Sequence, residues 1–355
     1  MPKIMKRLIS IFAIICCAIS CVGQKEDMVS LGLVLKPDRV SVDVDGNMSV
    51  KFSVTNERVD VTNEAEIYFM SGGEPTERLD NIVFTPTEVG TYAFAAKYND
   101  LYSTQVRVDA YSSEQGKSEG RDFFRRHLVL DFTGTWCVNC PDMTEALHHA
   151  SQSDEFYDRV VEVAVHYIDK FEIAEGKALI DSWGFSDLPH VVVDADKSTD
   201  MSAQKDAELI KQAMRKTKAY FAHPCGVKID TSTEGDKLTI DAEVTITESG
   251  SYRIGALLLR DDVVAPQKSA SDNYVHSSIL TASLSGSITS GVELGSGSLN
   301  AGDVVTKSFT YELSKIADLD NTRIVIYVMT QHDGVNVVNN VAQCLAGLSA
   351  GYRYE

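Results

Sequence analysis

Leu128-Val-Leu-Asp131-Phe-Thr-Gly-Thr-Trp136-Cys137-Val-Asn-Cys140-Pro141 is the stretch on which the fold turns. With His127 in front, its first half is a nearly unbroken apolar run of strand length, interrupted by Asp131. Such a run fits a strand covered on both faces. The second half sets a Cys-x-x-Cys directly after that strand and at the opening of a helix. Pro141 fits an early helical position, where its missing N–H costs little. A sulfur at a helix N-terminus meets unpaired backbone amides and the positive end of the dipole, which favour the thiolate. The thiolate is the nucleophile of disulfide exchange. A second cysteine about one turn deeper is placed to attack the mixed disulfide and release the partner.

Working outward, 143–151 and 174–183 read as helices, 160–168 and 190–193 as apolar strands, and 205–221 as a closing amphipathic helix. Strands alternating with helices imply an α/β sheet with helices on both faces, here over residues 122–223. Upstream, 112–121 is polar and glycine-bearing and reads as a linker. Before it, residues 29–111 read as short strands. Val40-Ser-Val42-Asp-Val44 and Val50-Lys-Phe52-Ser-Val54 alternate about an Asp45-Gly46 turn. Gly90-Thr-Tyr92-Ala-Phe94 resembles the tyrosine corner of immunoglobulin-like sandwiches, with Phe94 where such domains carry a cysteine, so no inter-sheet disulfide is available. Downstream, 224–355 returns to strands: Leu238, Ile240, Ala242, Val244 and Ile246 alternate with polar residues, which predicts a second β-sandwich. The Gly- and Ser-rich segment 285–302 is expected to be a mobile loop. The fold class is therefore multidomain: an α/β domain between an N-terminal immunoglobulin-like β-sandwich and a C-terminal β-sandwich.

The N-terminus carries Lys3, Lys6 and Arg7 and then a short apolar run, the layout of a secretory signal over residues 1–20. The run is shorter than the roughly 20 residues a membrane span needs. It ends Ala18-Ile-Ser-Cys21, which resembles a bacterial lipobox. That resemblance implies cleavage before Cys21 and acylation of its thiol, with 21–28 as a tether. Gln24-Lys-Glu-Asp27 is similar to the export tag of surface-displayed lipoproteins, which implies the outer face of an outer membrane; the periplasmic face is the alternative. The formal charge of -18 becomes more negative once the basic signal is removed, so a phosphate backbone would be repelled and nucleic acid is a poor partner. Seven cysteines reduce to 137, 140, 225 and 344 when Cys16 and Cys17 leave and Cys21 is acylated. Outside the cytoplasm an even set can pair. Cys225 and Cys344 bracket the C-terminal module and are read either as a structural bridge or as two buried free thiols.

The central stretch resembles thioredoxin. Asp131 stands six residues before Cys137, where the family places a buried acid, and Trp136 precedes the first cysteine as in the family. Trp183-Gly-Phe-Ser-Asp-Leu188-Pro189-His-Val resembles the segment with the family's cis-proline. The resemblance implies that Cys137 attacks, Cys140 resolves and Asp131 takes the proton of Cys140. It also implies that Pro189 is cis, with Leu188 offering backbone groups to an extended polypeptide. Three features depart from the family: Val138-Asn139 replaces its Gly-Pro, the lysine that partners the buried acid aligns with Val165, and the stretch between 168 and 189 is longer. The residues alone also allow a static disulfide, a zinc half-site lacking its second pair, or Asp131 as a plain strand end. His166 reads as a site-adjacent base or a satisfied core histidine.

Taken with Val165-His166, Asp261-Asp-Val-Val-Ala-Pro-Gln267, Tyr274-Val-His276 and Gln331-His-Asp-Gly334, the stretch resembles the thioredoxin-fold outer-membrane lipoprotein family often called outer membrane protein 28. The likeness runs from Phe123 to the C-terminus and implies an outer-membrane location and a thioredoxin fold joined to a β-sandwich. Gln267, Tyr274 and His276 are either polar residues of ordinary turns or a surface facing the cysteine pair. The expected partners are protein thiols and disulfides, without cofactor or metal. The alternative is a surface binding or assembly lipoprotein with no turnover.

Overall fold

The computed structural model describes residues 32–355 apart from 47, 58, 203 and 204. The signal, Cys21 and the tether 21–28 lie outside the described residues. Among those residues no helix is long and apolar enough to cross a membrane.

Residues 33–111 build two sheets around one core. In the strand Val50–Asn56, Val50, Phe52 and Val54 point inward while Lys51 and Ser53 point out, the two-residue period of a half-buried strand. Phe94 packs its ring 4.8 Å from that of Phe52, and Tyr92 Oη donates to the Glu88 carbonyl at 3.0 Å. The expected linker is partly ordered: Ser113–Ser118 is a short helix because the Ser112 hydroxyl accepts from the Gln115 amide at 2.9 Å. Ser112 and the Glu114 amide in turn donate to Asp45, which fastens the helix to the N-terminal sheets.

The central unit contains strands β1 (His127–Thr133), β2 (Val160–His166) and β3 (His190–Val193), and helices α1 (Cys140–Ser151), α2 (Ala174–Trp183) and α3 (Ala207–Lys218). β1 and β2 run parallel, with Val129 opposite Glu162 and Asp131 opposite Ala164, and β3 lies antiparallel on the other side of β1. Alternate residues of β1 serve opposite layers. Val129 packs with Met143, Leu147, Ile210 and Met214 under α1 and α3, whereas Leu128, Leu130 and Phe132 pack with Leu179 and Ile180 of α2.

The sheet does not end with this unit. Ala164 of β2 pairs in parallel with Ile279 at the start of β5 (Ile279–Ser283), and β5 continues into β4 (Tyr252–Arg260), β6 (Thr322–His332) and β7 (Val335–Leu345). The core followed through Leu130, Val163 and Val165 includes Leu257, Leu280, Val325 and Tyr327 from that C-terminal part. The boundary expected at 223/224 is thus where the chain leaves the helical layer, while the sheet runs on across it. A smaller three-stranded sheet, Gly226–Glu234, Lys237–Thr245 and Val304–Glu312, packs on the opposite face.

Two expectations are corrected here. Segment 285–302 is not a free loop: Val292–Glu293 pairs with β4, and Ile288 and Leu294 are buried. Gly291 is required there, since it has φ +51° and a Cβ would lie 2.4 Å from the Ile254 carbonyl oxygen. The bridge considered for Cys225 and Cys344 is absent, and among the described residues both are free thiols. Cys225 is sealed in the core between the two C-terminal sheets, and the Cys344 thiol donates to the Leu348 carbonyl at 3.3 Å. Burial pushes each thiol up to about 12, so neither offers a thiolate near neutrality.

Candidate functional site

Cys140 is the first residue of α1, with Pro141 in its first turn, and Cys137 sits in the turn between β1 and α1. The two sulfurs are joined at 2.09 Å. The turn is tightly held. Trp136 Nε1 donates to the Tyr167 carbonyl at 2.7 Å, and Gly134 leaves room for that indole, because a Cβ would lie 2.8 Å from Nε1. The Thr135 amide donates to Asp169 at 2.8 Å. From the C-terminal part, Gln267 Nε2 donates to the carbonyls of Cys137 at 2.9 Å and Gly134 at 3.3 Å, and the Lys268 amide to that of Thr135 at 2.9 Å. Trp136 and Val138 are 41% and 49% exposed, while Cys137 and Cys140 keep only 2% and 1%. The turn is at the surface, but its sulfurs are covered.

The Leu188-Pro189 bond is cis. Phe132 pairs with His190, so Pro189 lies one step beyond, at the strand end from which the cysteine turn departs.

Beneath the disulfide lies a cavity of about 280 Å³, bounded by Cys140 and by Asp131, Thr144, Glu162, His166, Tyr274 and His276 among others. Asp131 and Glu162 share a face: Val129 and Asp131 are two apart on β1, and Val129 pairs with Glu162. Asp131 is buried, accepts a long hydrogen bond of 3.3 Å from Thr144 Oγ1 through one oxygen, and among the described residues has no partner for the other. Burial raises its pKa well above the usual carboxylate range, against the weaker lowering effect of Thr144. Glu162 is raised by burial first and by Asp131 second. Arg323 faces them, but Asp261 engages it through two hydrogen bonds, at 2.6 and 2.9 Å.

His166 Nδ1 donates to Asp169 at 2.7 Å; burial opposes ionisation of Asp169, but this bond and the amides of Thr135 and Phe171 hold its carboxyl low. His276 has a buried, unpartnered Nε2, and burial followed by His166 pushes it down to about 4. Val165 faces the opposite layer, packed among the core residues over α2. Gln267, Tyr274 and His276, left open from sequence, all lie at the site, whereas Cys225 and Cys344 do not. Sequence reasoning missed Glu162 and Thr144. The signal for Glu162 was one acid inside the apolar run Val160-Val-Glu-Val-Ala-Val. Among the described residues no group of His, Cys, Asp and Glu is arranged to hold a metal ion.

Residues 176–348 match the family model of the outer membrane protein Omp28. The match begins inside α2, so it takes in Pro189, Gln267, Tyr274 and His276 but leaves Asp131, Trp136, Cys137 and Cys140 outside, a narrower span than the likeness from Phe123 suggested. The family's description points to the outer membrane. Among solved structures, the chain is similar to HBP35 of Porphyromonas gingivalis, at 20% identity over 64% of this chain and 77% of that one, with a TM-score of 0.54. At that identity the likeness speaks for the fold alone. The E. coli curli protein CsgC matches at 22% identity over 34% of this chain and 96% of its own, but with a TM-score of 0.20, too low to support any argument. No curated protein matches the chain.

Proposed function

We propose that this chain is an outer-membrane lipoprotein, anchored through Cys21 and displayed at the surface, whose thioredoxin-like unit exchanges disulfides with envelope or extracellular polypeptides. The observation that carries the proposal is the Cys137–Cys140 disulfide at the opening of α1, with the unpartnered carboxyl of Asp131 in the cavity below it. In the reduced form, Cys137 attacks a substrate disulfide, favoured as thiolate by the amides ahead of α1. Cys140 gives its proton to Asp131 and attacks the Cys137 sulfur. Trp136 forms the exposed rim, and Leu188 and Pro189 shape the edge along which an extended polypeptide lies. With insulin as the disulfide substrate, Cys137→Ser abolishes turnover if this reading holds, and unchanged turnover removes it.

A second reading, a tethered binding or assembly protein with a static disulfide, is favoured by the burial of both sulfurs and by the hold of Gln267 on the Cys137 carbonyl. Thiol trapping in dithiothreitol separates the two. An exchanging site is reduced in the folded protein, whereas a static one is reduced only together with unfolding.

A further inference from the structure

Glu162 has no role in the site as derived so far, yet its surroundings are unusual for a structural acid. It lines the cavity beside Asp131 on the same face of adjacent strands. The groups facing the two acids are Cys140, Thr144 and His148 from α1, His166 from β2, Tyr274 and His276 from the strand Tyr274–His276, and Arg323 with Asp261. None is a cation free to balance two carboxylates. Arg323 is engaged by Asp261, His166 by Asp169, His276 is held neutral, and burial lowers the pKa of His148 as well. Two carboxyls in such a place are stabilised when one of them stays protonated.

We propose that Glu162 is the second proton carrier of the site, passing the Cys140 proton between Asp131 and solvent through the cavity. This rests on the exchange reading above. In the resolving step the Cys140 sulfur supplies an electron pair to the Cys137 sulfur, and the Cys140 proton moves to Asp131, then to Glu162 and to water. The bond between Cys137 and the substrate sulfur breaks, and that sulfur leaves as thiolate. In the reverse direction the same carboxyls return a proton to Cys140 as it departs.

The test uses the full chain, reduced and mixed with oxidised glutathione, following first the mixed disulfide on Cys137 and then glutathione release. Glu162→Gln slows release about ten- to a hundredfold near pH 7, the scale of a lost proton-transfer group, and changes its pH profile. Alkylation of Cys137 by iodoacetamide keeps its wild-type rate and pH dependence, and Glu162→Asp restores most of the release rate. Infrared spectra of the oxidised chain at pH 7 carry a protonated-carboxyl band that Glu162→Gln or Asp131→Asn removes. Release by Glu162→Gln at the wild-type rate and pH profile, or a wild-type spectrum without that band, overturns the proposal and leaves the exchange reading intact. A wild-type chain that never forms the mixed disulfide overturns both.

Discussion

Burial raises the pKa values of Asp131 and Glu162 above the ordinary carboxylate range near pH 4 that they would have in an unfolded chain. Their raised pKa values fix the sign of the pH effect. The contribution to stability is fully present below the unfolded values and is lost as pH rises through the folded ones. Thermal melts at pH 5 and pH 8 therefore differ for the wild type, and Glu162→Gln narrows that difference by on the order of a few degrees. An unchanged difference would mean that the acids are ionised in the native protein. The free thiols make a separate prediction: Cys225 and Cys344 resist alkylation in the folded chain and both become labelled once it is unfolded in urea without reductant. At this scale the chain was readable wherever the signal is local. The spacing of Asp131, Cys137 and Cys140 lies within ten residues, so their neighbourhood could be argued from strand and helix chemistry. The role of Glu162 depends on which strand lies beside it, and nothing within its own run states that.

The turn between β1 and α1 is fastened by a loop more than a hundred residues downstream, and that fastening is itself testable. Gln267→Ala strips the buried carbonyls of Cys137 and Gly134 of a donor, at a cost of about 1–3 kcal/mol. The same change loosens the cover over the sulfurs, so dithiothreitol reduces the disulfide faster in folded Gln267→Ala than in wild type; equal or slower reduction would show that the glutamine does not gate access. The helix Ser113–Ser118 makes the complementary point. Its glycine and polar composition suggested a linker, but the Ser112 cap and the Asp45 anchor lie in two different modules, and only the second requires the fold to be known. Ser112→Ala is expected to cost about 1 kcal/mol, read from urea denaturation. The strands of 224–355 were readable through their strict alternation. Segment 285–302 was not, because two buried apolar residues among many glycines and serines leave no period to follow.

For the molecule as a whole, the decisive contact is the parallel step from Ala164 to Ile279, which makes one sheet of two stretches of chain that look like separate domains. Cutting after residue 223 would leave β2 with a bare edge and expose Val163, Val165 and Tyr167 on the face that the C-terminal strands cover. Residues 122–223 alone are therefore expected to be insoluble or molten, whereas 122–355 unfolds in one calorimetric transition; a stable, soluble 122–223 fragment would show the joint sheet to be dispensable.

The order in which the chain is made gives that joint sheet a temporal meaning. Cys137 and Cys140 leave the ribosome, and any export channel, long before Ile279 and Gln267, so they exist for a while as bare thiols on an unfinished sheet. Oxidising machinery can reach them during that interval without displacing Gln267, whereas afterwards every exchange has to pass that cover. The first disulfide is thus made on an open site, and each later exchange starts from a closed one.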